Sequence, residues 1–380
     1  MSTSLLLTRA AESWRIEGPK GFGKRAVKYV MRFGRPAIGE PIGAYSPQRD
    51  EALLEGIEEL RSAGPYGPVQ KDIARVEATL DSLKQADFPF LASALDHVLS
   101  AGGKRVRPAI SLLAGKLGRY DLDLLVPLAA SIELLHSATL VHDDVIDAAP
   151  TRRGRATANA LFDNAATVMV GDYMFAHAAE LVARTGNIDV IRLFARTLME
   201  MATGELHQDM SAYNYGQSTR EYFDRIAGKT ASLFATAAQG GAIVAGVPES
   251  WEEALRTYGE NLGMAFQIAD DILDFTGDED ELGKPAGSDL MQGTLTLPSL
   301  LFIERYPKNN PVQRYFAGRQ RAESLRRALD TIRESTVLGE AYAVACDFRD
   351  RALKALESLP PSPPRDSLAD IALWVTERRS

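Results

Sequence analysis

The sequence predicts an all-α fold, a large helical bundle with an interior cavity. Apolar residues recur at three-and-four spacing through most of the chain, the pattern of helices with a buried face. Several of these runs approach about 25 residues and are apolar on more than one side, which marks central helices of a bundle rather than surface ones. No alternating run beyond the short Thr294–Leu297 suggests a strand, and no short repeat recurs.

The elements follow in order. Residues 1–48 carry eight Lys/Arg and three acids, a net +5, against −13 for the remainder of a chain whose total is −8. Phe22, Ala26, Val30 and Phe33 share one helical face there, with Lys24, Arg25, Lys28 and Arg32 largely on the other. Such a segment can lie on an anionic membrane, dock loosely as an arm, or serve as an organelle transit peptide. Residues 1–68 are therefore expected to form a basic, partly ordered N-terminal arm, and residues 69–380 the helical domain. Helices are predicted over Val69–Leu83, Leu122–Asp147, Ala158–Ala183, Ile188–Met210, Tyr222–Ala245 and Trp251–Phe275. Gly102-Gly103, Pro150, Gly186-Asn187 and Gly246–Ser250 separate them. Two more amphipathic helices are expected between Pro311 and Leu359, and a short last one after the PPSPP run.

The most informative feature is a duplicated acidic motif. Asp143, Asp144 and Asp147 stand in LVHDDVIDAA, and Asp270, Asp271 and Asp274 in FQIADDILDFTGD. Positions i, i+1 and i+4 of a helix lie on one side, where three like charges weaken it unless a cation compensates. Hard cations such as Mg²⁺ take carboxylate oxygens and often complete their shell with substrate phosphates. Each motif thus reads as half of a metal–diphosphate clamp, and the apolar flanks argue against a solvated acidic face.

Cations cluster around the first motif. GGKRVRP offers Lys104, Arg105 and Arg107 after two glycines, which let a backbone approach a ligand while arginine forks match phosphate oxygens. TRRGRAT follows the motif with Arg152, Arg153 and Arg155. His136, seven residues before Asp143, shares its helical face and could donate to an anion or be a satisfied core histidine. Gly228-Lys229-Thr230 invites a nucleotide reading, but Phe223 stands where a P-loop needs glycine, and no strand precedes it. Lys229 is kept as a diphosphate ligand.

Composition narrows the class. A hydrophobic share of 45% and a charged share of 25% are ordinary for a globular enzyme. The net charge of −8 argues against general nucleic-acid binding. Cys346 is the only cysteine, so neither an intrachain disulfide nor a CxxC metal site can form. No run of eighteen apolar residues suggests a membrane span, and the apolar stretch in MSTSLLLTRAAESWR is too short for a secretory signal. The expected location is cytoplasmic, with peripheral membrane contact through the basic arm as one reading.

At this point the chain resembles the all-trans polyprenyl diphosphate synthases, the trans-prenyltransferases. The matching segments are GGKRVRP, ELLHSATLVHDDVID with its RRG, VGDYMF, GELHQ, GKTASLF, FQIADDILD and GKPAGSDLMQGTLTLP. The resemblance is strong over Phe88–Leu300 and weak beyond. It implies an all-α bundle of isoprenoid synthase type around a deep central cavity, usually a homodimer. It implies three Mg²⁺ ions held on an allylic diphosphate, with Asp143, Asp147 and Asp270 as the main ligands and Asp144, Asp271 and Asp274 in support. By the same resemblance Lys104, Arg107, His136 and Arg153 bind isopentenyl diphosphate, with Arg105 beside them. Arg152, Lys229, Thr230, Gln267 and Lys284 match positions that bind the allylic diphosphate. One departure stands out: Gln292-Gly293-Thr294 replaces the family's frequent E-G-K, so a cation near the leaving group is missing.

The resemblance implies head-to-tail condensation of isopentenyl diphosphate with an allylic diphosphate, and the chemistry fits. Ionising an allylic diphosphate concentrates negative charge that divalent cations and Lys/Arg stabilise as it develops. The allylic cation needs an apolar, water-excluding cavity, and the second substrate needs positioning. Terpene cyclases and head-to-head condensing enzymes share such motifs but do not need a second diphosphate site. A non-catalytic subunit of a heteromeric synthase and a plain structural bundle are the remaining alternatives. The growing tail is expected to run back along the helix that carries Asp143, past Ala138 and Thr139 and then Leu134 and Leu135. Ala138 and Thr139 are small, and in the family an aromatic at the position of Ala138 stops short products. A long-chain product of the kind found in quinone side chains is therefore expected, with a geranylgeranyl or farnesyl diphosphate synthase as the alternative.

Overall fold

The computed structural model describes residues 64–152, 154–277 and 286–377. The N-terminal arm, Arg153 and Lys284 lie outside the described residues. The helical body opens at a 3₁₀ turn, Gly64–Val69, which packs on the helices α1, α3 and α16 defined below. The fully buried Val69 belongs to the core.

The chain then runs through α1 (Gln70–Ser82), α2 (Pro89–Leu99), α3 (Val106–Gly115) and α4 (Leu122–Ile146). A two-residue hairpin, β1 (Thr151–Arg152) and β2 (Arg155–Ala156), follows. Next come α5 (Ala158–Leu161), α6 (Asn164–Ala183), α7 (Ile188–Met210) and α8 (Thr219–Ile226). A π-helical turn, Ala227–Ala231, joins α8 to α9 (Ser232–Ala245), and α10 covers Glu249–Thr276. The remainder is α11 (Ser288–Met291), α12 (Leu297–Arg305), α13 (Pro311–Phe316), α14 (Arg321–Glu334), α15 (Val337–Leu356) and α16 (Pro363–Glu377). The all-α expectation holds.

Differences from the sequence-based expectation have local causes. The helix expected over Ala158–Ala183 breaks at Phe162–Asp163, because the Asp163 side chain caps α6 by accepting from the Ala166 amide at 2.8 Å. Thr294–Leu297 is not a strand: Thr294 donates its amide to the Asp289 carbonyl, and Leu297 opens α12 with Pro298 in its first turn. Among the described residues the strands lie in TRRGRAT, where Gly154 turns with φ +71. Between Pro311 and Leu359 there are three helices rather than two, and the expected last helix begins at the end of PPSPP. The helix α4 is also long and apolar enough to cross a membrane by length and composition. It is instead the inner helix of the bundle, with Leu125, Leu128, Ile132, Leu134, Leu135 and Ala138 all buried.

Two apolar clusters make the core. The larger joins α1–α4, α6, α7, α9, α15 and α16; the smaller joins α8, α11, α12, α14 and α15. The 28-residue α10 serves both, through Leu255, Tyr258 and Leu262 in the first and Met264, Ile268 and Phe275 in the second. Its approach to the π turn depends on Gly263, where a Cβ would meet Ala231 Cα at 2.5 Å. Carrying the second acidic motif near its C-terminal end, α10 faces α9 and the π turn.

Candidate active site

The two acidic motifs end long helices of opposite halves of the sequence. The C-terminal cap of α4 is Asp147, and α10 runs only two residues past Asp274. Helix C-termini repel carboxylates through the helix dipole, so the motifs sit where a cation is most stabilising.

A cationic side chain stands at the first motif. Nζ of Lys229 pairs with Glu205 Oε2 and lies 3.8 Å from Asp143 Oδ2. It is placed there by the π turn, whose extra residue per turn shifts Lys229 and Thr230 relative to an α-helical register. The turn can lie against α7 because Gly204 has no side chain; a Cβ there would meet the Lys229 amide nitrogen at 2.7 Å. From the same turn Thr230 donates to Gln267 Oε1 at 2.7 Å, and Gln267 Nε2 donates to Asp271 Oδ1 at 2.8 Å. One five-residue turn therefore reaches both motifs: Asp143 through Lys229, and Asp271 through Thr230 and Gln267.

The six aspartates divide into inward and outward groups, against the expectation that each triad shares one face. The Asp144 side chain, 6% exposed as a residue, accepts from Arg152 Nε at 2.7 Å. Fully enclosed, Asp271 accepts from Gln267 and from the Tyr222 hydroxyl at 2.6 Å. The Asp274 carboxylate accepts from Ser288 Oγ at 2.8 Å and from the Asp289 amide at 3.3 Å, holding α11. That leaves Asp143, Asp147 and Asp270, none of them fully buried, on the open side. Burial pushes the Asp143 carboxyl up to about 6, against the opposing pull of Lys229. Burial, with help from the Asp289 charge, pushes Asp271 up to about 7 despite its two hydrogen-bond donors. Burial also raises Asp144 and Asp147.

The donor set fits divalent cations that bring most of their own shell. Among the described residues no three His, Cys, Asp or Glu side chains converge into a ready-made cage. An ion here would rest on one or two carboxylates and take its other oxygens from diphosphate and water, the habit of Mg²⁺.

The remaining expected ligands fall unevenly. Arg107 lies with its guanidinium 4.3 Å from the Phe234 ring centre and 6.0 Å from that of Phe266, the neighbour of Gln267. The ammonium of Lys104 sits 5.1 Å from the Trp374 ring of α16, so the C-terminal helix shares in this loop. Half-buried His136 lies on α4. Arg105, expected beside them, is held by carboxylates of the bundle. It adopts a left-handed φ of 51 and donates from Nη1 to buried Glu133 at 2.8 Å, with Glu77 3.6 Å from its Nε. Glu133 is ten residues below Asp143 on α4, about 15 Å along the axis. Arg105 therefore fastens the loop to the bundle instead of facing the acidic motifs. Along the expected tail path Leu134, Leu135 and Ala138 are fully buried, and Thr139 is half-buried with its hydroxyl on the His136 carbonyl.

Sequence reasoning gave no role to Glu205, Tyr222, Arg225 or Asp289. Gly204 before Glu205 was the available signal, since a small residue inside a long helix marks a close approach.

An all-helical bundle with two aspartate motifs facing one lysine-bearing turn has the architecture of the trans-prenyltransferases. Comparisons agree. Residues 88–332 match the family model described as polyprenyl synthetase, and the chain belongs to that family. It is 41% identical over 313 residues to heptaprenyl diphosphate synthase component 2 of Geobacillus stearothermophilus, covering 82% of this chain and 98% of the relative. It is 38% identical over 314 residues to the geranyl-diphosphate-specific all-trans-nonaprenyl-diphosphate synthase of Rhodobacter capsulatus, covering 82% and 96%. Among solved structures, the polyprenyl synthase of Caulobacter crescentus, complexed with calcium and isoprenyl diphosphate, superposes with a TM-score of 0.78. The two share 36% identity over 90% of this chain and all of the other.

Proposed function

We propose that the protein condenses isopentenyl diphosphate with an allylic diphosphate, 1′-4 and head to tail, to give a long all-trans polyprenyl diphosphate for a quinone side chain. The observation that carries this reading is the single π turn that touches Asp143 through Lys229 and Asp271 through Thr230 and Gln267. Such a turn lets one diphosphate be gripped between two helices. Mg²⁺, three ions by family resemblance, would rest on Asp143, Asp147 and Asp270 and supply Lewis-acid stabilisation of the leaving diphosphate.

The chain's own residues then have separable tasks. Lys229 already stands between two carboxylates, and a diphosphate oxygen arriving beside Asp143 exchanges one anionic partner for another. Arg152 holds Asp144 and stands ready for the same exchange. Lys104, Arg107 and His136, joined by Arg153 on the family resemblance alone, would make the second anion site, whose task is to position the isopentenyl double bond near the allylic carbon. The apolar core below Ala138 shields the allylic cation from water. Proton loss goes to the departing diphosphate.

The test is product chromatography of purified protein given farnesyl and isopentenyl diphosphates, with Mg²⁺ and then with chelator. Expected are products beyond four isoprene units and none with chelator; a geranylgeranyl product sinks the long-chain assignment alone. A second reading, a subunit of a heteromeric synthase, is favoured by the name of the Geobacillus relative, a component 2. Turnover by this chain alone supports the homodimer that the family resemblance implies; turnover only with an added partner supports the heteromer. We further propose a cytoplasmic location, with a peripheral membrane contact through the basic residues 1–48 as the reading their charge supports.

A further inference from the structure

Arg225 is a charged side chain sunk almost wholly in the core, 4% exposed, on α8. Its Nη2 donates to the Leu295 carbonyl at 2.6 Å and its Nη1 to Gln217 Oε1 at 3.0 Å. Its guanidinium carbon lies 5.6 Å from the Tyr222 ring centre, and the Tyr222 hydroxyl is bound to Asp271. Arg225 is thus linked to the second acidic motif through Tyr222. It grips the backbone one residue after Thr294, the position where the family resemblance implies a lysine.

The surrounding charge explains why an arginine should be buried here. Asp271 is 2% exposed and Asp274 1% exposed. Asp289 approaches the same group, its amide on Asp274. Buried carboxylates crowded together need a counter-charge, and a buried guanidinium needs anions. An uncompensated negative motif would also repel the diphosphate it is meant to help bind.

We propose that Arg225 is a positioning residue for diphosphate capture: its buried charge offsets the second motif, and its bond to Leu295 fixes the 294–297 segment, so that position 294 needs no cation of its own. Arg225 does not touch substrate. It acts through Tyr222, Asp271 and the backbone of Leu295. The inference rests on the diphosphate-binding reading given above.

The experiment is a double-mutant cycle of Arg225→Gln and Thr294→Lys in the full chain, read by calorimetric binding of inorganic pyrophosphate at saturating Mg²⁺ and by melting temperature. Glutamine keeps a donor but loses the charge. Arg225→Gln should weaken pyrophosphate binding about tenfold or more, the scale of a close charge coupling in a dehydrated site. The half-saturating Mg²⁺ concentration should not rise, because removing a cation does not repel Mg²⁺; a merely structural staple would weaken both. Thr294→Lys should restore pyrophosphate affinity in the Arg225→Gln background, yet change it less than about threefold in the parent. The KM for the allylic diphosphate should rise with the loss of affinity, more than kcat falls.

Parent-like pyrophosphate binding by Arg225→Gln overturns the proposal. So does an equal effect of Thr294→Lys in both backgrounds. If Arg225→Gln does not fold, Thr294→Lys in the parent decides: a gain of about tenfold shows a cation was still wanted there and overturns the proposal. A change below about threefold upholds it. Failure of the parent to bind pyrophosphate with Mg²⁺ would instead overturn the diphosphate-binding reading itself.

Discussion

Asp143 carries both the geometry and the charge problem of this site. It is the aspartate within reach of Lys229, and burial raises its carboxyl to about 6. Asp143→Ala should lower turnover by about a thousandfold or more, about 4 kcal/mol of lost transition-state stabilisation. Asp270→Ala should do the same from the other helix. Near-parental steady-state rates at ordinary Mg²⁺ for either variant would show that the motifs do not clamp a metal. The raised carboxyls also set a pH dependence. An acid whose folded pKa lies above its ordinary value of 3.8 takes up protons in the folded state first, so folding stability rises as pH falls. For Asp143 and Asp271 the window runs from about 7 down to about 4. Metal-free protein should therefore melt higher at pH 5 than at pH 7.5. Adding Mg²⁺ with pyrophosphate should flatten or reverse the trend, because the cations compete with those protons. A melting temperature that falls on acidification without metal would contradict the assignment. Arg105 shows what residue-level reading missed: three cations in one loop look alike in sequence, and only the left-handed backbone turns one of them onto Glu133.

At the scale of elements, the helices carrying the motifs were legible because their apolar periodicity is strong, and α4 and α7 end within a residue of expectation. The π turn was not legible. Nothing in Ala227–Ala231 distinguishes it from continuous helix, since the extra residue is imposed by packing against Gly204 and Gly263. Nor could the division of each acidic triad be read, because it depends on Tyr222, Arg152 and Ser288 arriving from other elements. The tail path is a claim about α4 as a whole. One turn rises about 5.4 Å, close to one extended isoprene unit, and Ala138 stands just over one turn before Asp143. Ala138 is fully buried in the core shared with Met174, Ala178 and Met201. An aromatic there must displace neighbours or fill space the tail would use. Ala138→Phe should shorten the main product to about three or four units while leaving the Mg²⁺ requirement unchanged. An active variant with the parental product distribution would show that the tail takes another route.

Two features bear on where and with what the whole molecule works. The first is the basic sequence of residues 1–48, which lies outside the described residues. Deleting residues 1–48 removes a net +5 and should reduce binding to anionic vesicles while leaving single-turnover condensation intact. Equal vesicle binding by both forms would leave only an arm docked on the body. The second is an apolar stripe on α6 and α7. Ala195, Met199, Ala202, Leu206 and Met210 follow one another at four-and-three spacing along α7 and are exposed, Met210 by 81% and Met199 and Leu206 by 61% each. On α6, Ala165, Met169, Ala176, Ala179 and Ala183 repeat the spacing, interrupted by one charge, Asp172. Single exposed apolar residues need no explanation, but two helices with the same a/d-like rows do. Small residues between methionines let helices approach closely and leave adaptable side chains to fill the gaps. The stripe also begins beside the site: Glu205, which pairs with Lys229, adjoins Leu206 on α7. An isologous contact through this face would support α7, and with it Glu205, in two copies at once. We therefore expect the purified chain to sediment as a homodimer. Met199→Glu with Leu206→Glu should yield a monomer that keeps its helical circular dichroism and loses most turnover. A double variant that stays dimeric moves the interface elsewhere, and a wild-type chain that dimerises only with a second, different subunit assigns the stripe to that partner instead.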